Sequence, residues 1–333
     1  MLKSATLLLR ETIKEWNEDN ATHIAAALAY YAIFSLSPLL IVIALILGLV
    51  IDQRTVETGL VENIELTLGQ QAAQLIGSLL VRRPTASDVV GSVIWLAIIL
   101  WGASGMFAQL QLALNKIWEV RPKPGRSPLV ILKIRLQSFM IVALAAIALL
   151  GSMVVNTALS ARLAAPIPVE ADYLELGANG EQLAPEAEPL SALIIVPIRV
   201  IQFLVSLAVM TFMIVVVFQV LPDVDIGWRD VIVGSLFTAV LLYLGQFGVG
   251  LYLSRADVGS IFGAAGSLTV ILVWIYYSAQ ILLFGAEFTE VWARHHGSHI
   301  RPDADAVWEN EFKAKREAER SRRLKADTNP SQD

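Results

Sequence analysis

The residue most able to do chemistry in this sequence is Glu287, a carboxylate near the end of an apolar run that begins at Gly266. A charge inside hydrocarbon costs several kcal/mol, so such a group faces a protein interior or a water-filled cavity. There it either pairs with a basic residue of a neighbouring helix or carries a proton. Arg199, two residues after Pro197, is the sole Lys or Arg within the apolar spans assigned below. Its guanidinium either snorkels to headgroups or lines an outward cavity that accepts an anion. Gln111 and Asn115 stand four apart, on one helical face, and with Gln109 suit hydrogen bonding between helices. Tyr30, Ser35 and Tyr276 add hydroxyls to other apolar runs. Tyr30, Ser35, Gln111, Asn115, Arg199, Tyr276 and Glu287 are therefore the candidate lining of a substrate path.

Enzymatic constellations are sparse. Gly102-Ala103-Ser104-Gly105 has the Gly-x-Ser-Gly form used by intramembrane serine proteases, but that chemistry needs a general base within reach of the hydroxyl. The histidines lie elsewhere: His23 at the edge of the first apolar run, and His295, His296 and His299 in the tail. The tail trio lacks the glutamate of a His-Glu-x-x-His site and reads as a basic juxtamembrane segment. No Walker loop, dinucleotide fingerprint or kinase signature occurs. No cysteine is present, which excludes disulfides, thiolate metal sites and iron–sulfur clusters. No catalytic residue, metal or cofactor is expected, and the chain reads as a non-enzyme.

The elements that must carry these residues are set by hydropathy. From His23 to Ile51 about 28 residues pass without an Asp, Glu, Lys or Arg. A bilayer core of about 30 Å needs about 20 apolar residues in a helix rising 1.5 Å per residue. The composition agrees: 56% hydrophobic and 17% charged, with mean hydropathy +0.61, against about 25% charged in a soluble domain. The expectation is an all-α polytopic membrane protein with spans at about 29–51, 89–113, 136–160, 194–220, 231–253 and 266–288, preceded by an amphipathic segment 1–28 and followed by a charged tail 291–333. The N-terminus is no cleavable signal, because its apolar run starts late and follows Glu15, Glu18 and Asp19.

Basic residues orient the spans. Lys116, Arg121, Lys123, Arg126, Lys133 and Arg135 lie between the second and third, whereas Arg162 alone lies between the third and fourth. Lys and Arg in short loops stay in the cytoplasm, so both termini are expected there. Net charge is −5, which excludes a general nucleic-acid binder. Membrane lipids are the expected partners, an anionic lipid or small solute the expected ligand, and a homo-oligomer is left open.

Connecting segments carry their own patterns. Leu2, Ala5, Leu9, Ile13 and Trp16 recur at helical spacing, for a helix lying in the interface or packed on the span ends. Val56 to Leu79 repeats apolar residues every three or four positions and is expected to be helical. The acidic, proline-containing stretch 161–193 reads as a solvated loop, and the tail from about Asp303 as an exposed helix fraying near Asn329-Pro330. Pro38 lies inside the first span with Ser35 and Ser37, whose hydroxyls are expected to re-satisfy freed carbonyls in a kinked helix. Gly245, Gly248, Gly250, Gly259, Gly263 and Gly266 permit close backbone approach. Trp95, Trp101, Trp118, Trp228, Trp274 and Trp292 fall near span ends, as interfacial anchors do.

Taken in order, several segments resemble the YihY/BrkB family of bacterial inner-membrane proteins: Ala26-Ala27-Leu28-Ala29-Tyr30-Tyr31 with Ser35-Leu36-Ser37-Pro38-Leu39; Leu100-Trp101-Gly102-Ala103-Ser104 with Ala113-Leu114-Asn115-Lys116-Ile117-Trp118; Leu221-Pro222-Asp223 with Trp228-Arg229-Asp230; Phe262-Gly263-Ala264; and Trp274-Ile275-Tyr276 with Gly285-Ala286-Glu287. The resemblance covers about residues 10–295, with phenylalanine at 262 where the family pattern has tyrosine. It marks Pro38, Gly102, Pro222, Trp228, Arg229, Gly263 and Gly285 as structural motif positions. It implies a six-helix inner-membrane protein with a role in envelope integrity, serum resistance or export of a lipid or solute. The family has also carried the label ribonuclease BN. Metal-dependent nucleases of that kind need a His-x-His-x-Asp-His cluster to hold two zinc ions, and this chain has none.

Overall fold

In lipid a backbone finds hydrogen-bond partners only in itself, and the long apolar runs of this chain form helices accordingly. The computed structural model describes residues 2–47, 70–81, 89–125, 188–256, 266–297 and 300–315, with scattered positions within 58–65 and 136–155 and at 317. In chain order these form α1 (Leu2–Glu18), α2 (Ala21–Leu47), α3 (Gln70–Val81), α4 (Val89–Ile117), β1 (Val120–Pro122), α5 (Glu188–Val220), β2 (Val224–Asp225), α6 (Trp228–Ala256), α7 (Gly266–His296), β3 (Arg301–Pro302) and β4 (Ala306–Trp308). Most of the expected third span, residues 161–187 of the expected 161–193 loop, Phe262, Gly259, Gly263 and His299 lie outside the described residues, and from Glu188 that expected loop is instead the start of α5. Among the described residues, Arg199–Val220, Trp228–Gly248 and Leu268–His296 are long and apolar enough to cross a membrane.

Helix α7 is the hub, packing on α6, α2, α1, α3 and α4, while α2 packs on α4 and α5 on α6. The core lies where they converge: Leu28 of α2, Leu114 and Ile117 of α4, Phe218 of α5 and Leu283 of α7 are each at most 4% exposed. Trp118, just past α4, is 1% exposed; its ring meets Phe218 edge-on at 5.8 Å and its indole N–H donates to Ala286 O at 3.3 Å. The sequence places Trp118 as an interfacial anchor, and the structure corrects this. A buried indole needs a hydrogen-bond partner, and the α7 backbone supplies it. Trp101 and Trp228 do remain exposed.

Motif glycines Gly102 and Gly285 each meet a side chain across a helix interface. Pro38 on α2 lies over Gly102 on α4, where a Cβ would sit 2.9 Å from the proline Cγ. Ser35 is buried but donates to Ala32 O at 3.1 Å, so its bond is local and does not reach the Phe34 carbonyl that Pro38 leaves without a donor. On α6 and α7 the contact is reciprocal: the Thr289 side chain fills the space of a Cβ on Gly234, and Thr238 fills that of Gly285. Each threonine hydroxyl donates at 2.7 Å to the carbonyl of the glycine four residues before it. Farther along, Gly245 faces Ile281 and Tyr277, so rising numbers on α6 meet falling numbers on α7 and the pair is antiparallel. Gly248 faces open space, so close packing explains only part of the glycine pattern.

One end of the helix assembly is capped by the tail. Segment β4 pairs antiparallel with β1, Arg121 opposite Val307, and β3 pairs antiparallel with β2, Val224 opposite Pro302. The helix expected from about Asp303 begins only at 309, because β-pairing claims the residues before it. Helix α1 rests on the same end, packing Leu8, Thr12 and Trp16 inward against α7 and α2 while Leu9 and Ile13 stay exposed.

Candidate functional site

The capped end gathers most of the buried polar side chains. Asn115, in the last turn of α4, donates to Asp223 Oδ2 at 2.8 Å and accepts the Asp223 backbone N–H at 2.8 Å. Gln111, one turn earlier, donates to Asp223 Oδ1 at 3.4 Å. All three are at most 9% exposed. The Asp223 carbonyl in turn accepts from Asp303 N at 2.9 Å, so the turn after α5 is bonded on one side to α4 and on the other to the tail. Sequence reasoning makes Gln111 and Asn115 site candidates but has Asp223 only as part of the Leu221-Pro222-Asp223 motif, its signal being an acid that follows proline at the end of an apolar run.

Glu287 lies near this cluster, one residue after the carbonyl that holds Trp118. It is 0% exposed, and neither carboxylate oxygen has a hydrogen-bond partner among the described residues. The expected pairing with a basic residue of a neighbouring helix is not seen among the described residues, and Arg294, farther along α7 itself, reaches Glu15 of α1 at 3.4 Å and Glu290 at 3.3 Å.

Beside the cluster opens a groove of about 620 Å³ between α4, β1 and the helix over 309–315, with Asp19, Lys116, Glu119, Arg121, Glu309 and Phe312 in its lining. Burial pushes the Asp19 carboxyl up to about 6; Lys116 opposes the rise, and Glu119, Glu15 and Glu309 add to it. Arg121 lies 3.9 Å from Glu309 and 5.2 Å over the Phe312 ring, and Lys313 reaches Glu309 at 3.3 Å.

The remaining candidates divide between inside and outside. Ser35 is buried and Tyr276 packs against the core, eleven residues before Glu287 and hence on nearly the same face of α7. Tyr30 is 60% exposed beside Phe34, at 4.9 Å between rings, and Arg199 is exposed on α5. Arg199 stands about 30 Å along the helix axis from the turn at Asp223, so it takes no part in the capped-end cluster. Pro222 is buried in that turn, while Trp228 and Arg229 are exposed at the start of α6. Among the described residues no three His, Asp or Glu side chains come together as metal ligands. His295 bonds Val291 O and Glu11, and His296 stacks on Trp292.

The model of the family described as virulence factor BrkB matches residues 12–308. A UPF0761 membrane protein of Pseudomonas paraeruginosa is 26% identical over 274 residues, which is 80% of this chain and 58% of that protein. A UPF0761 membrane protein of Tolumonas auensis is 30% identical over 77 residues, covering 23% of this chain and 26% of that one, and one of Verminephrobacter eiseniae is 34% identical over 90 residues, 27% and 21% respectively. The chain thus spans less than two thirds of the length of these relatives. No solved structure matches it. A helical assembly with spans of membrane length, and a family match running through the Gln111–Asn115–Asp223 cluster and Glu287, lead to one assignment: the chain is an integral membrane protein of the virulence factor BrkB family.

Proposed function

We propose that the chain is a six-span inner-membrane transporter, exporter or lipid translocase, with both termini and the capped end in the cytoplasm. The observation that carries this reading is Glu287, a fully buried carboxylate with no partner at either oxygen among the described residues. A buried polar group that makes no bond in the resting arrangement calls for an explanation, and a cargo or proton that comes and goes provides one. In this reading Ser35, Gln111 and Asn115, on helices packed with α7, and Tyr276 of α7 itself supply the rest of a polar path. Arg199 serves at the far end as a headgroup anchor. The chain is proposed to carry no enzymatic activity of its own.

Reconstitution tests this directly. Proteoliposomes holding a trapped pH dye and a fluorescent phospholipid report proton flux and lipid translocation in one preparation. Wild type is expected to speed one of these fluxes above protein-free vesicles, and Glu287→Gln to return it to background with a melting temperature no lower than that of wild type. If wild type speeds neither, or Glu287→Gln matches wild type, the reading fails. A non-transporting envelope scaffold is the second reading, favoured by the basic residues of the tail beyond the ladders, Arg316, Arg320, Arg322, Arg323 and Lys325. It predicts loss of the envelope phenotype when the chain stops after Lys315, with flux intact.

A further inference from the structure

Helix α4 carries a largely exposed face among the described residues. Trp101 is 75% exposed, a Cβ at Gly105 would meet nothing within 4 Å, and Leu112 is 57% exposed. The spacings of four and seven put these residues on one stripe. Continued in the same rhythm, the stripe reaches Lys116, and in the turn just past the helix end stands Glu119; both lie in the wall of the groove. It is apolar along the helix and charged at its end, which is the polarity of a phospholipid.

The charges in the groove are not equally engaged. Glu309 holds both Arg121 and Lys313. Lys116 donates one hydrogen bond, to the Asp19 backbone carbonyl at 2.7 Å, and has no carboxylate within ion-pair distance among the described residues, which leaves two ammonium donors unspent. Glu119 uses its backbone N–H and C=O in the turn and the β1–β4 junction, while its carboxylate makes no hydrogen bond or ion pair among the described residues. A cation and an anion that make no ion pair among the described residues therefore stand three positions apart, with Asp19 close by. A purely anionic headgroup that approached Lys116 would meet Glu119 and Asp19; a headgroup carrying both signs would satisfy each side.

We propose that this stripe and the groove below it hold one phospholipid with a primary-amine zwitterionic headgroup, its phosphate on Lys116, its ammonium on Glu119 and an acyl chain along Trp101, Gly105 and Leu112. A quaternary ammonium fits less well because it has no N–H to donate to the carboxylate. The site does not rest on the transport reading, since it binds lipid whether or not the lipid is moved.

The full-length chain in mild detergent is mixed with equal amounts of phosphatidylethanolamine, phosphatidylcholine and phosphatidylglycerol of identical acyl chains, and retained lipid is read by native mass spectrometry. One phosphatidylethanolamine is expected to outlast the others under collisional activation. Lys116→Gln and Glu119→Gln should each lower its retention about fivefold or more, Lys116→Arg should keep it, and Gly105→Phe should lower it by covering the open stripe. Gly105 faces empty space, so that variant tests the site without disturbing the packing of the charged end. Equal retention of all three lipids, retention in the glutamine variants equal to wild type, or a preference for phosphatidylglycerol indifferent to Glu119→Gln would each overturn the proposal.

Discussion

At the scale of single residues, the capped end stores two electrostatic costs. Glu287 has lost its water without gaining a partner among the described residues, so Glu287→Met, similar in volume and without charge, is expected to raise stability by about 1–3 kcal/mol, read by thermal melting in detergent, while abolishing any flux the wild type supports. The opposite sign of ΔTm would show that the carboxylate is held by a favourable contact. Asp19 is the second case. Its folded-state pKa, about 6, lies above its ordinary 3.8, so the folded chain binds that proton more tightly than the unfolded chain does. The resulting stabilisation is complete below about pH 4 and is lost as the pH rises through about 6. Melting temperature should therefore fall across that window in wild type and fall less in Asp19→Asn, which leaves intact the backbone carbonyl that Lys116 uses. Equal slopes would place the effect on another group.

At the scale of elements, two interfaces depend on small or polar residues whose partners are remote in sequence. Asn115→Ala removes two bonds to Asp223 and leaves a buried carboxylate and N–H with less to hold them, a cost of about 1–3 kcal/mol by chemical denaturation. Asn115→Asp should cost more, since it sets two carboxylates face to face. Between α6 and α7, Gly285→Ala drives a methyl into Thr238 and should cost about 1–3 kcal/mol, with Thr238→Ala in the same chain recovering most of it. Simple additivity of the two changes would mean that the helices shift apart rather than collide. The adjacent stack of Phe237 on Phe288, 3.9 Å between rings, argues for a fixed spacing.

For the whole molecule the tail decides the organisation of one end. Segments β3 and β4 join β2 and β1, so a chain ending after Ile300 loses both ladders, whereas one ending after Lys315 keeps them. The shorter chain is expected to melt lower and the longer one to melt like wild type. A truncation at Arg301 would thus remove structure as well as charge, and the cut after Lys315 is the one that separates the scaffold reading from the transporter reading. Equal melting of both truncations would show that the ladders add nothing to stability.

Much of this molecule is legible in its amino-acid sequence alone. Hydropathy, helical period and the placement of Lys and Arg are properties of neighbouring residues, and a bilayer or a helix reads them over a window of some twenty positions. The membrane class, the helices carrying Gln111, Asn115 and Glu287, and the shared face of the first two are determined at that range. The rest is decided by the tertiary structure. Asn115 and Asp223 are 108 positions apart, and nothing local to either names the other. Trp118 looks like an anchor in sequence because a helix end is where anchors occur; only the packing of α5 and α7 over it makes it core. The same holds for Arg294, which has several acids to choose from and is drawn to Glu15 and Glu290, leaving Glu287 alone. Which polar group gains a partner and which is left bare depends on how helices distant in sequence pack, and that is a property of the folded chain.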